Sequence, residues 1–253
     1  MRRTVILMLA REHIRNRFLR ALPEQAWERL KSSLHRVALL NRQPIAHAGG
    51  SVQYVYFVDQ GFISLARTMH DGRSVEVGGV GVEGLTTPTA ILGGYDSAVL
   101  EAMVQVPGSA FRIDRVLLKH AMEHEAVLRW MVEDYARFQL HQVAQIAACN
   151  CLHVIEERLC RRLLTAHDNA RASQFPLTHE FLAMMLGAHR PGISTAAKAL
   201  QSKGLIAYSR GLVSIKDRTG LEAKACECYA GARAGIEALY STSEYWDRRA
   251  TAP

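Results

Sequence analysis

Neither glycine nor proline occurs between Phe111 and Phe175. A stretch of that length without the two residues that most readily break helices has to be mostly helical. Helix formers dominate it, and the reading is helix from about Asp114 to Asp168 with one break near Asn150. Leu128, Met131, Val132, Tyr135, Phe138 and Ile146 recur at helical spacing and form a broad apolar stripe. A long connecting helix needs something to bury such a face, either its own chain or a second copy. The stripe mixes aromatics with Gln and His and is no ideal heptad, yet pairing of two copies is the favoured use. His153–Leu164 reads as the next helix, with Arg158, Arg161 and Arg162 on its polar side.

The chain ahead of this run has a different grammar. Residues 13–33 read as helix, interrupted at Pro23 and continued by Trp27, Leu30 and Leu34. From Val37 to about Ile113, short β-rich runs recur at Val52–Val58, Phe62–Arg67, Ser74–Val82 and Ala98–Val106. Gly49-Gly50, Asp59-Gln60-Gly61, Asp71-Gly72, Gly78-Gly79, Gly93-Gly94 and Pro107-Gly108 punctuate them. Many short strands with Gly-rich turns indicate an antiparallel sandwich or barrel, and Asp71-Gly72 marks a hairpin.

Behind the run, residues 169–176 read as a polar loop ending in Phe175-Pro176. In Leu177–Arg218, Thr178 is a suitable N-cap, and Phe181, Leu182, Met185 and Leu186 make an apolar face. Gly187 stops that helix, since glycine tolerates the left-handed backbone of a helix end. Arg190-Pro191 opens a second helix with Ile193, Ala197 and Leu200 inward, and Gly204 ends it. Ile206–Ser209 and Leu212–Ile215 then read as strands around Arg210-Gly211. This is the order of a winged helix-turn-helix. A buried helical hairpin is the alternative, but the short turn, the hydrogen-bonding residues His189, Arg190, Ser194 and Thr195, and Arg210 at the wing tip favour DNA. Thr178, His179, Lys198 and Ser209 complete the candidate DNA contacts. Thr219–Tyr229 reads as a helix covering the wing, followed by a mixed tail whose last ten residues read as disordered.

A formal charge of +7 on 253 residues favours anionic partners, nucleic acid before membrane. The apolar core of MRRTVILMLA, Val5–Ala10, is too short for a signal peptide or a membrane span, so the expectation is a soluble cytoplasmic protein without membrane contact. The five cysteines, Cys149, Cys151, Cys160, Cys226 and Cys228, are odd in number and clustered, unlike a secreted disulfide framework.

These stretches, in this order, resemble the Crp/Fnr family of bacterial transcription regulators. The likeness runs over roughly residues 15–230. It rests on Tyr54-Val55-Tyr56-Phe57 with Gly61, on Asp71-Gly72-Arg73 with Glu76, and on Gly81-Val82-Glu83-Gly84-Leu85. Cys149-Asn150, His153, Glu156-Glu157-Arg158-Leu159 and Leu163-Leu164 resemble the family's hinge and following helix. Leu177–Asp217 resembles its winged helix, and Cys226-Glu227-Cys228-Tyr229 a C-terminal ending of some members. The resemblance implies an α+β fold: an antiparallel, jelly-roll-like β-roll sensory domain at 37–124 behind a helical segment at 1–36. A long dimerisation helix at 125–151, a winged helix-turn-helix at 152–230 and a tail at 231–253 would follow. It implies a homodimeric, non-enzymatic regulator on a two-fold symmetric operator, with recognition helices about 34 Å apart. Double-stranded DNA, a second copy and RNA polymerase are the implied partners. The family's base-reading positions fall on Arg190, Pro191 and Thr195, and only Arg190 keeps the familiar type, so the operator differs from the well-known ones.

The implied effector pocket involves Glu83, Gly84, Ser97 and Ala98. Asp96-Ser97-Ala98 stands where the cyclic-nucleotide cassette has Arg-Ser-Ala, and a carboxylate there repels phosphate. The base-contacting pair falls near Val143-Ala144, which lacks hydroxyls. Cyclic AMP is therefore not the expected effector, and its identity stays open. The N-terminal cysteines needed for an iron–sulfur sensor are missing, and lone histidines such as His70 or His120 more often lie on the surface than bind haem. The two C-x-C pairs do not share a helix face, so the reading is reduced thiols without metal, with redox sensing near the hinge as the sharper alternative. No cofactor is expected. A cupin-like binding protein or enzyme lacks its clustered histidines, since His47 and His70 stand alone, and no catalytic constellation is visible. A protein-interaction module built on the winged helix is the remaining alternative.

Overall fold

The computed structural model describes residues 11–170 and 172–241. The signal-like N-terminal decapeptide and the last ten residues lie outside them. Two short helices, α1 (Arg17–Ala21) and α2 (Glu24–Lys31), meet at Pro23. The buried Asn16 caps α1 by accepting from the Leu19 amide, and its own amide donates to the Val58 and Gly84 carbonyls at 2.9 and 2.8 Å. One fully paired side chain thus ties the entry helix to the sheet.

The sheet contains β1 (His35–Leu39), β2 (Pro44–Ala46), β3 (Tyr54–Thr68), β4 (Ser74–Val80) and, beyond the short α3 (Thr89–Leu92), β5 (Glu101–Asp114). Its antiparallel order is β1-β5-β3-β4, with β2 also on β5. The Asp71-Gly72 hairpin forms as expected, with Thr68 opposite Ser74. Two expected turns do not. The expected runs at Val52–Val58 and Phe62–Arg67 fall in the single strand β3, which starts at Tyr54, and the run expected at Ala98–Val106 starts at Glu101 and continues through Pro107-Gly108 to Asp114. Gly61 (φ 95°) sits in a bulge where a Cβ would lie 2.4 Å from the Val106 carbonyl oxygen, and one on Gly108 would lie 2.1 Å from that of Gln60. These glycines permit close approach of two strands rather than a reversal of one. Pro107, which has no N–H to offer, falls where the register skips between Val106 and Ser109.

The glycine- and proline-free run folds into α4 (Arg115–His124), α5 (Ala126–Leu152) and α6 (Ile155–Ala170). It therefore breaks twice, after Leu152, close to the break expected near Asn150, and also at Glu125, where none was expected. Leu128, Met131, Val132 and Tyr135 are buried against Phe18, Phe57, Ile113 and Leu118 of the same chain, with Phe138 packed beside them. That corrects the expected use of the stripe: α1 and the roll offer an apolar surface at hand, so these residues are consumed within the chain.

The last domain contains β6 (Gln174–Pro176), α7 (His179–Leu186), α8 (Arg190–Ser202), β7 (Ile206–Ser209), β8 (Leu212–Ile215), α9 (Arg218–Lys224) and α10 (Cys228–Tyr240). The expected loop at 169–176 supplies β6, which makes the wing a three-stranded sheet with Phe175 opposite Val213. The expected helix over Thr219–Tyr229 is interrupted at Ala225–Glu227. It packs on α6 rather than the wing, with Arg218 on Asp168 at 2.7 Å and the Tyr229 hydroxyl donating to the same carboxylate. The helix α10 runs past position 230 and returns to the first domain. Arg17 meets Glu237 at 2.6 Å and lies over the Tyr240 ring, and the Tyr240 hydroxyl donates to the Glu83 carbonyl. A second join is the buried ion pair of Arg162 on α6 with Glu76 on β4, which also accepts from the Ser64 hydroxyl at 2.6 Å. Removing one partner would strand a buried charge.

Candidate nucleic-acid interface

Thr178 caps α7 by accepting from the Phe181 amide at 3.2 Å, and Gly187 (φ 54°) closes it. Leu182, Met185 and Leu186 of α7 meet Ile193, Ala197 and Leu200 of α8 in one core. Helical periodicity then turns His189, Arg190, Pro191, Thr195 and Lys198 to the surface. Arg190 occupies the first helical position, where a cation is opposed by the helix dipole. Among the described residues no carboxylate pairs with Arg190, Lys198 or Arg210. A cation held against the dipole and left unpaired suits an anionic ligand that arrives from outside.

The wing makes a second such point. Arg210 (φ 50°) and Gly211 (φ 78°) are the two central residues of the hairpin turn between β7 and β8. Both being left-handed is the requirement of a type I′ turn. For arginine that conformation costs roughly 1 kcal/mol, and here it aims the side chain outward beside the exposed Ser209.

Four of the sequence-derived candidates have partners inside the domain. The Thr178 hydroxyl is engaged by its cap. The His179 ring stacks on Tyr208 with centroids 4.2 Å apart, and its Nδ1 shares a 3.0 Å hydrogen bond with the Ser194 hydroxyl. Burial, and then the Arg190 charge, hold His179 below its ordinary pKa, which favours the neutral ring. These residues lock α8 to α7 and the wing. Tyr208, whose hydroxyl donates to the Leu177 carbonyl at 3.0 Å, was not among the candidates. Its only sequence signal is an aromatic residue in a short strand. Thr195 is exposed, although its hydroxyl also donates to the Pro191 carbonyl at 3.0 Å.

The four effector-pocket candidates are not gathered around one cavity. Glu83 is buried, accepts from the Gly81 amide at 2.8 Å, and has its pKa raised by burial. Against Gly84 the Tyr135 ring leaves no room, since a Cβ would lie 2.0 Å from it. Ser97 and Ala98 bridge instead to Ser51 and Ala48, and Asp96 lies 3.7 Å from Arg115. A cavity of about 300 Å³ does exist between β4, α5, α6 and α10. Glu83, His141, Arg161, Arg162 and Asn169 line it, whereas Gly84, Ser97 and Ala98 do not.

Residues 157–224 match the family model of the Crp-like helix-turn-helix domain. The chain carries a Crp-like DNA-binding domain on a Crp/Fnr-type fold. That fold is shared with FixK2 from Bradyrhizobium japonicum, at 17% identity and a TM-score of 0.63 over 76% of this chain and 98% of FixK2. The c-di-GMP-responsive regulator CLP of Xanthomonas campestris matches at 17% identity and 0.61, over 76% and 99%. A CRP-family regulator of Thermus thermophilus matches at 21% and 0.61, over 75% and 96%. No curated protein matches the chain by sequence. The Xanthomonas and Thermus matches are described as regulators. Among the described residues no helix is long and apolar enough to cross a membrane.

Proposed function

We propose that this Crp/Fnr-type regulator works as a homodimer that reads a two-fold symmetric operator through Arg190. The observation that carries this reading is the surface formed by α8 and the wing. Its unpaired cations, Arg190 and Arg210, stand at positions their own backbone disfavours, which external phosphates and base acceptors would offset. Arg190 is the base reader, since the guanidinium fork matches guanine O6 and N7. Lys198, Arg210 and Ser209 contact phosphate, His189 and Thr195 flank the groove, and Thr178, His179 and Ser194 position the helix from behind.

The dimer is supported by the second half of α5, where Leu140, Ala144, Ala147 and Cys151 form an exposed stripe at alternating four- and three-residue spacing. Leu140 is 69% exposed there. The functional divisions are then 37–124 for sensing, 125–151 for pairing and 152–230 for DNA, with α10 carrying the last unit on to Tyr240. Cyclic AMP is not the effector in this reading, because the Asp96 carboxylate stands beside Arg115 where its phosphate would need a free cation, and the identity of the effector stays open. The protein acts in the cytoplasm, with RNA polymerase as its downstream partner. Selection of bound sequences from a random DNA pool, repeated with Arg190→Ala, tests the reading. A symmetric consensus whose guanine preference disappears in the variant is the expected result. An unchanged consensus removes Arg190 as the reader.

A further inference from the structure

The C-terminal end of α5 and the corner between α9 and α10 meet at four side chains. Cys149, Cys226 and Cys228 are buried, and His153 joins them, with all four potential ligand atoms within 4.8 Å of one another. We infer that Cys149, His153, Cys226 and Cys228 bind one zinc ion as a Cys3His site, which fastens α10 to the hinge between α5 and α6.

Each residue reaches the site by an identifiable route. Cys149 and His153 are four apart at the end of α5, so the helical turn stacks them on one face. Cys151 points away to solvent, which is why its pairing with Cys149 in sequence misleads. Cys226 and Cys228 would diverge within a helix, but α10 starts only at Cys228 and the chain before it is not helical. The two thiols straddle the N-terminus of α10.

The separations suit a tetrahedron. Zinc bonds of about 2.3 Å to sulfur and about 2.0–2.1 Å to nitrogen place tetrahedral ligands about 3.5–3.8 Å apart. Cys149 Sγ lies 3.6 Å from Cys226 Sγ, and Cys228 Sγ lies 3.7 Å from His153 Nδ1. The surroundings are those of a metal ligand set as well. His153 Nε2 lies 3.0 Å from a Glu227 carboxylate oxygen, so that with zinc bound the ring proton would sit on Nε2 and Nδ1 would be the ligand atom. The Gln145 amide donates to Cys228 Sγ at 3.0 Å. Arg158 and Arg161 lie close enough to act electrostatically on the thiols. On binding, three thiol protons go to solvent as three zinc–sulfur bonds form, and the neutral imidazole supplies the fourth ligand. The resulting single negative charge is offset by those guanidinium groups.

The test is metal analysis of the full-length protein purified without air or chelator, followed by replacement with Co2+. Stoichiometric zinc, and a Co2+ form with the visible bands of a tetrahedral thiolate complex, are expected. Both should be lost in Cys228→Ser and kept in Cys151→Ser and Cys160→Ser. Because Cys228→Ser alters a buried position and can disturb folding, Glu227→Gln provides a variant with all four ligands intact, and its zinc affinity should fall about 10-fold or more. The assignment is overturned by wild-type protein that takes up neither metal, by a Cys149–Cys226 disulfide in the fresh preparation, or by iron in place of zinc. Equal metal loss in Cys151→Ser, or unchanged zinc affinity in Glu227→Gln, counts against it too.

Discussion

The two halves of α5 are one continuous helix with two surroundings. In the first half Val127, Leu128, Met131, Val132 and Tyr135 are buried in the core of their own chain. Beyond Arg137 the stripe of Leu140, Ala144, Ala147 and Cys151 lies open. Backbone preference does not distinguish the halves, since neither contains glycine or proline. Their difference lies in what the rest of the chain brings alongside: the roll and α1 cover the first half, and among the described residues this stripe in the second half stays exposed. The same division recurs in the helix-turn-helix, where α7 is engaged with the core and with Tyr208 while α8 leaves Arg190 and Lys198 outward. Positions of the first kind should govern stability, and positions of the second kind should govern association.

The largest effect should come from Leu140→Glu. The separated protomers stay folded but lose simultaneous engagement of two half-sites, which weakens operator binding by about 10²–10⁴-fold. Ultracentrifugation and gel shift on one preparation check this, and a variant that stays dimeric would remove the stripe from the interface. Leu128→Ala, one helical stretch earlier, should instead cost about 2–5 kcal/mol of stability in urea unfolding and leave the dimer in place when folded. If the two variants behaved alike, the contrast between the halves would collapse.

In the DNA-binding domain, Arg190→Ala should cost about 1–3 kcal/mol of discrimination at one base pair, with salt-dependent residual binding. Arg210→Gly should reduce the slope of log affinity against log salt by about one unit per copy. It should also stabilise the domain slightly, by relieving the left-handed arginine. Loss of both affinity and stability would mean that Arg210 packs rather than reaches outward.

His179 gives the smallest effect and belongs to the engaged class. Its folded pKa lies below the usual 6.5, so below that value the unfolded chain binds more protons than the folded one. Stability should therefore fall as pH drops from about 6.5 through the folded pKa, and His179→Gln should flatten that part of the profile. Thermal melts across this window measure it.

Much of the helix-turn-helix was legible because its determinants are local. The Thr178 cap, the Gly187 stop, Pro191 near the start of α8 and the apolar spacing of Ile193, Ala197 and Leu200 act within a few residues of where they stand. The Asp71-Gly72 hairpin was legible for the same reason. Gly61 and Pro107-Gly108 misled, because a glycine at a close strand crossing looks in sequence like a glycine at a turn. The roles of His179 and Ser194 were half legible: polar residues near a recognition helix suggest DNA, but only the position of the Tyr208 ring shows that they face inward.

What the sequence determined by itself was the order of elements and the faces each would bury, since capping, periodicity and helix breaking are set by near neighbours. The tertiary structure decided which partner each face found. It turned the first half of α5 onto the roll, brought α10 back to Arg17 and Glu83, and joined Cys149 to the distant Cys226 and Cys228 in one cluster with His153. Contacts of that range depend on the path of the whole chain, and no pattern within a few residues records it.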